Sequence, residues 1–169
     1  MKTRTHRTSL VENVIEIARS PEEVFDYWVD LERELEWNPK AKRVEKLTAG
    51  PIGLGTRFEG EYLKGDAMTI EYVRFERPVS WETVGRSPRL NVKGEGRLTT
   101  SERGTRLVMR MELSPKGALR PLAPILGRFM GRTARLFRGR AWISITASRS
   151  LRSDGYRPTG ARRSPRGPR

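Results

Sequence analysis

The residue types that do chemistry are sparse in this chain. It has no cysteine and one histidine, His6. That histidine stands in the basic N-terminal stretch MKTRTHRTSL, where nothing would orient its imidazole as a general base. Ser/His and Cys/His nucleophile pairs and histidine–carboxylate zinc sites therefore cannot be assembled, so no metal and no cofactor are expected. Carboxylates remain. Glu59, Glu61, Glu71, Glu82 and Glu95 lie in stretches that read as strands, and one turned into an apolar interior would have a raised pKa and could act as acid or base. Alternation argues against most of them: if Tyr72 faces inward, Glu59, Glu61 and Glu71 fall on the opposite, solvated face. Arg74 and Arg97 read equally as buried polar anchors or as outer-face ion-pair partners. Gly53, Gly55, Gly94 and Gly96 have the composition of a phosphate loop, but no Gly-Lys-Ser/Thr comes after them, so turn or bulge geometry accounts for them. No residue is assigned as catalytic.

The elements that must position any site are set by periodicity. Leu10 to Ala18 alternates, with Val11, Ile15 and Ile17 on one face and Glu12, Val14 and Glu16 on the other, which predicts a half-buried strand. Ser20 caps a helix with Pro21 at its first position and Glu23 three residues after the cap, a capping box. Val24, Phe25, Trp28 and Leu31 or Leu35 recur at helical spacing and are expected to face the core. Trp37-Asn38-Pro39 ends the helical region, because proline disfavours the helical conformation of the residue before it. Strands are then predicted over Ala41–Leu47, Thr56–Leu63, Asp66–Phe75, Ser80–Gly85, Asn91–Ser101 and Thr105–Leu113, with Lys64-Gly65 as a tight hairpin connection. Leu119 to Arg138 carries a long apolar stripe, although Pro121 and Pro124 place the start of regular helix near Pro124. The order is strand, short helices, about six strands and one long helix. A curved antiparallel sheet can cover one face with that last helix, and a gap between the two is a ligand cavity.

Charge narrows the function classes. The net charge is +14 over 169 residues. Residues 1–114 hold 20 Lys and Arg against 19 Asp and Glu, a balance of +1; residues 115–169 hold 14 against the single acid Asp154, a balance of +13. The body is neutral, so a nucleic-acid footprint on a folded face is not expected. The terminal excess implies at most weak, salt-dependent contact with anionic membranes or polymers. No apolar run suggests a leader or a membrane span, and the absence of cysteine suits a reducing compartment, so a cytoplasmic protein is expected.

With the elements placed, the chain resembles the START-like (SRPBCC) superfamily, the helix-grip proteins that include polyketide cyclases and dehydratases, lipid-transfer domains and the birch pollen allergen type. The resemblance is carried by IEIARSPEEVFDYWVDLE at Ile15 to Glu32, EWNP at Glu36 to Pro39, GPIGLGTRF at Gly50 to Phe58, Gly104-Thr105-Arg106-Leu107, and PLAPILGRFMGRTAR at Pro121 to Arg135. It covers roughly residues 10–138 and implies an α+β helix-grip fold: a curved antiparallel sheet of about six to seven strands wrapped around a long C-terminal helix, enclosing an apolar cavity. It implies binding of lipids, polyketides or other apolar molecules, with only some members enzymes, and it transfers no catalytic residue. The chain departs from the pattern at its end. After Lys116 every basic residue is arginine and after Glu112 there is no Glu. The helix pattern fails at Gly139, so residues 139–169 are expected to be a disordered tail, the product of a frameshift or an otherwise non-homologous end, and residues 1–9 a mobile arm.

Alternation then places Phe58 or Tyr62, Met68, Ile70, Tyr72, Trp81, Thr83, Leu107, Met109 and Met111 inward, and the helix stripe adds Leu122, Leu126, Phe129, Met130 and Thr133. These are the expected ligand-cavity residues, although filling the core is the commoner role of such positions. Trp28 and Trp37 are expected near the cavity mouth. The leading expectation is a binding module for a small apolar ligand, with Tyr72, Thr83 or Thr133 orienting it. The alternative is a metal-free cyclase, aromatase or dehydratase that takes an acid or base from Tyr or Glu within the same cavity.

Overall fold

The computed structural model describes residues 9–62, 65–122 and Ile125. Seven strands form one antiparallel sheet: β1 (Ser9–Ile17), β2 (Ala41–Lys46), β3 (Arg57–Tyr62), β4 (Met68–Glu76), β5 (Ser80–Arg86), β6 (Leu90–Ser101) and β7 (Gly104–Pro115). Their order is β1-β7-β6-β5-β4-β3-β2. Strands β2 to β7 form a meander, and β1 returns to pair with β7 at the far edge. This is the curved antiparallel sheet of an α+β helix-grip fold.

Between β1 and β2 the chain crosses the inner face of the sheet as helix α1 (Pro21–Val29), a 3-10 turn (Leu31–Arg33) and helix α2 (Glu34–Trp37). The start of α1 is fixed by its sequence: Ser20 Oγ accepts from the Glu23 amide, and the Glu23 side chain accepts from the Ser20 amide. Helix α1 stops because Asp30 takes an extended conformation, φ −82° and ψ 90°. That break turns the chain, so residues beyond Asp30 do not continue the α1 stripe. Of the two alternatives Leu31 and Leu35, Leu31 is the one against the core, and Leu35 is 47% exposed.

The register sorts the strand residues onto two faces. On the inner face, Ile15 lies opposite Leu107, Leu107 opposite Leu98, and Trp81 opposite Gly96. Phe75 pairs with Trp81, Tyr72 with Thr83, and Ile70 with both Gly85 and Phe58. A bulge between Tyr72 and Arg74 keeps Tyr72 and Phe75 on the same side despite their odd spacing. The core is built on this face from Ile15, Ile17, Phe58, Tyr72, Trp81, Leu98 and Leu107, closed by Val24, Phe25, Tyr27, Trp28 and Val29 of α1. Five aromatic rings continue edge to face through it, Trp81 on Phe25 at 5.4 Å, Phe25 on Phe75 at 5.1 Å, Phe75 on Tyr72 at 5.4 Å and Tyr72 on Phe58 at 6.3 Å. Such pairs stabilise by about 0.5–1.5 kcal/mol beyond their burial.

The outer face is a lattice of exposed ion pairs, among them Arg110–Glu12 at 2.6 Å, Lys93–Glu95 at 3.1 Å and Arg74–Glu76 at 2.9 Å. Each exposed pair is worth little, about 0–1 kcal/mol, but together they keep this face wetted.

The structure corrects two sequence expectations. The β3–β4 connection is not a tight hairpin at Lys64-Gly65: β3 ends at Tyr62 and β4 begins at Met68. Gly94 and Gly96 sit in an unbroken register between β5 and β6, not in a turn or bulge. Gly96 is there because the Trp81 ring lies flat across it, where any Cβ would collide with the indole. After β7, Gly117–Leu122 forms a 3-10 turn with Pro121 inside it, so regular helix has not begun by Leu122. Most of the expected Leu119–Arg138 helix, the residue 139–169 tail and nearly all of the N-terminal arm lie outside the described residues. No described helix is long and apolar enough to cross a membrane.

Candidate functional site

The inner face has a closed half and an open half. At the closed half, under α1, the side chains of Phe25, Phe58, Tyr72 and Leu107 are wholly buried. Toward the other end of the same face the side chains stay apolar but lose their cover. Met68, Ile70, Thr83, Val92 and Met109 are half-buried, and Met111 is 37% exposed. These positions share one face by register: Gly60 opposite Met68, Gly94 opposite both Thr83 and Met111, and Val92 opposite Gly85.

Polar groups enter this apolar surface where α2 meets β3. The Tyr62 hydroxyl donates to Glu34 Oε2 at 2.9 Å, and Asn38 Nδ2 donates to Glu34 Oε1. Tyr62 is on the inner face with its ring laid over Gly60, where an added Cβ would meet the ring and hydroxyl at 3.0 Å. The Tyr72 hydroxyl, deeper in, donates to the Val29 carbonyl at 2.9 Å and so satisfies one acceptor left open at the end of α1. Burial raises the Glu34 carboxyl above its ordinary range, against the lowering effect of the hydrogen bonds from Asn38 and Tyr62. Burial also raises both tyrosines, and the nearby charge of Glu34 adds to it in each. The hydrogen bond from Tyr62 sets the Glu34 carboxyl beside the inner-face residues of β3.

The neighbouring cation is engaged elsewhere. Arg33 bonds Asp30 at 3.3 Å and Glu36 at 3.5 Å and lies over the Tyr27 ring, while Tyr27 donates to Glu36 at 3.0 Å. Among the described residues no Lys or Arg pairs with Glu34. Trp28 packs on Trp37 of α2 with ring centroids 5.2 Å apart. The Trp28 indole N–H is buried and has no acceptor among the described residues, a situation that costs about 1–3 kcal/mol if no water or ligand meets it.

The candidates drawn from sequence divide between the two halves. Phe58, Tyr72, Trp81 and Leu107 stand in the closed half, and Met68, Ile70, Thr83, Met109 and Met111 in the open half. Leu122 is described only in its backbone turn, and Leu126, Phe129, Met130 and Thr133 lie outside the described residues. The five strand carboxylates do not reach the interior. Glu71, Glu82 and Glu95 pair with Arg86 and Lys93, Glu61 with Arg43, and Glu59 shares their face. Arg74 is likewise on the outer face, pairing with Glu76 and Glu82. The carboxyl that does turn inward, Glu34, is not distinguished by sequence reasoning, because in the run Leu31-Glu32-Arg33-Glu34-Leu35-Glu36 it reads as a solvated helical charge. The available signal is its spacing of four residues to Asn38, a side chain able to bond back to it. No group of three or more His, Cys, Asp or Glu suited to a metal occurs among the described residues.

The family described as polyketide cyclase / dehydrase and lipid transport matches residues 8–141. Solved structures share the fold at low sequence identity. A START superfamily protein from Mycobacterium smegmatis superposes with a TM-score of 0.67 at 13% identity, covering 83% of this chain and 99% of that one. A protein of unknown function from Staphylococcus aureus gives 0.66 at 16% identity, over 85% and 96% of the two chains. The di-domain ARO/CYC StfQ of the steffimycin biosynthetic pathway gives 0.65 at 12% identity, over 85% of this chain and 52% of that longer one. No curated protein sequence matches the chain.

Proposed function

The chain belongs to the polyketide cyclase / dehydrase and lipid transport family, and from that premise we propose that it holds one small apolar molecule, lipid-like or polyketide-like, against the inner face of its sheet. The fold is a hydrophobic-ligand-binding one. The observation that carries the reading is the division of the inner face. Its closed half buries Phe25, Phe58, Tyr72 and Leu107 wholly, while Met68, Ile70, Val92 and Met109 continue the same apolar surface half-buried and Met111 stays exposed. Covering that surface with an apolar ligand gains roughly 25 cal/mol per Å2 removed from water, and three methionines make the wall adaptable to shape. The C-terminal segment would close the opposite side.

Native mass spectrometry of the full chain purified from its own host tests this. A bound apolar molecule of constant mass that leaves on denaturation is expected. Its repeated absence, together with no uptake of added fatty alcohols or aromatic polyketides, would reject the reading.

One observation favours an enzyme of cyclase or dehydratase type. Glu34 and Tyr62 form a carboxyl–phenol pair at the edge of the apolar surface, with both groups raised by burial, as a proton donor in such chemistry would need. In that case Glu34→Gln would abolish turnover even at polyketide concentrations that saturate the site.

A further inference from the structure

The Glu34 carboxyl is held in an unusual way for a surface helix residue. Each of its oxygens accepts one hydrogen bond, Oε2 from the Tyr62 hydroxyl at 2.9 Å and Oε1 from Asn38. A carboxylate can accept about four, so lone pairs remain free on both oxygens. Among the described residues no cation pairs with it, and its sequence neighbour Arg33 is committed to Asp30 and Glu36. Placing a carboxyl against apolar surface without a counter-ion is costly unless something donates to it. Asn38 and Tyr62 fix its position beside β3, where the Tyr62 ring lies over Gly60 and Gly60 pairs with Met68 of the open half.

We propose that Glu34, held by Tyr62 and Asn38, is the polar anchor of the ligand site and accepts a hydrogen bond from a neutral hydroxyl or phenol on an otherwise apolar ligand. The proposal rests on the apolar-ligand reading under Proposed function. It commits to a substrate class: hydroxylated apolar molecules are selected over bare hydrocarbons, which leave the carboxylate desolvated and unpaired, and over anionic fatty or aromatic acids, which it repels. Trp28 suits the same class. It is 7% exposed, packs at a tilt on Trp37 of Glu34's own helix, and its buried N–H has no acceptor among the described residues. Tyr62 and Asn38 are positioning residues, since they act through Glu34.

The test uses three probes of one shape, 2-naphthol, 2-methylnaphthalene and 2-naphthoate, titrated against the full chain at pH 8 by tryptophan fluorescence and calorimetry. The wild-type chain should prefer 2-naphthol to either of the others by about tenfold or more, the factor expected of one hydrogen bond to a charged group. Glu34→Gln should remove the discrimination against 2-naphthoate and most of the preference over 2-methylnaphthalene. Tyr62→Phe, which frees the carboxyl to swing, should weaken 2-naphthol binding while leaving 2-methylnaphthalene binding unchanged. Equal affinities for the three probes in the wild type, or a naphthol preference that survives in folded Glu34→Gln, would overturn the anchor and leave the apolar-ligand reading standing. Binding of none of the three would reject both.

Discussion

Replacing Gly96 by alanine should destabilise the domain, and the size of the effect is set by one contact. The Trp81 indole lies across Gly96 on the neighbouring strand, so an alanine Cβ would stand 2.5 Å from Cη2 and closer still to Cζ2 and Cε2. Carbon atoms rest at about 3.5–4.0 Å, so the ring must retreat by about 1 Å. It has no free direction in which to do so. Trp81 is buried and packs edge to face on Phe25, which in turn packs on Phe75. Overpacking costs about 1–3 kcal/mol, and so close an approach to a held ring sits in the upper part of that range, about 2–3 kcal/mol; an offset of about 0.5–1 kcal/mol, because alanine loses less backbone entropy than glycine, leaves a net loss of about 1–2 kcal/mol. Equilibrium urea unfolding of the full chain measures it. With a slope of about 2 kcal/mol per molar, the midpoint should fall by about 0.5–1 M with the slope unchanged. Gly53→Ala is the control: nothing lies within 4 Å of its Cβ and its φ is not positive, so only the backbone-entropy gain remains and the midpoint should stay level or rise by up to about 0.5 M. A Gly96→Ala midpoint equal to or above the Gly53→Ala midpoint would refute the argument that this glycine exists to seat the indole.

Other outcomes rest on single interactions. Ser20→Ala removes the hydroxyl that caps α1 and should cost about 1 kcal/mol in the same urea assay, with Ser20→Asp recovering most of it. Tyr72→Phe strands the Val29 carbonyl in the core and should cost about 1–3 kcal/mol; a neutral result would mean that another donor reaches that carbonyl. Glu34 sets a pH dependence. Its folded pKa lies above its unfolded value near 4.5, so between the two the native state holds a proton that the unfolded chain has lost, and stability falls as pH rises through that window. Glu34→Gln abolishes this contribution, so its stability relative to wild type should improve as pH rises from about 4.5 toward neutrality. The exposed carboxyls Glu45, Asp66 and Glu76 are shifted downward instead, by hydrogen bonds from Arg43, Arg89 and Arg74, and act only on the acid side of that window. A stability difference between the two proteins that stays constant from pH 4 to pH 8 would contradict the placement of Glu34.

The sequence by itself determined the strand pattern, the capped start of α1 and the division of the sheet into apolar and charged faces. These are consequences of short-range physics: alternation at period two, a Ser-Pro-Glu-Glu start, and proline at the end of a helical run each act within a few residues. It also argued against Ser/His and Cys/His nucleophile pairs, since the chain has one histidine and no cysteine. The identity of the interior carboxyl was decided by tertiary structure alone. Glu34 differs from Glu32 and Glu36 in sequence only by its four-residue spacing to Asn38, which does not by itself tell an inward carboxyl from a solvated one. They stand two residues apart in the 3-10 turn and α2, yet Glu32 accepts from the Lys46 amide, Glu36 from Tyr27, and only Glu34 meets Tyr62 of β3. That meeting depends on the chain breaking at Asp30, which turns α2, and on Gly60 being small enough for the Tyr62 ring to lie over it. The five strand glutamates show the converse. Alternation alone put Glu59, Glu61 and Glu71 outside, but the fate of Glu82 and Glu95 was decided by register, which set them beside Lys93 on the outer face. A charge's role is set by the partners that folding brings to it, and those partners lie tens of residues away in the chain.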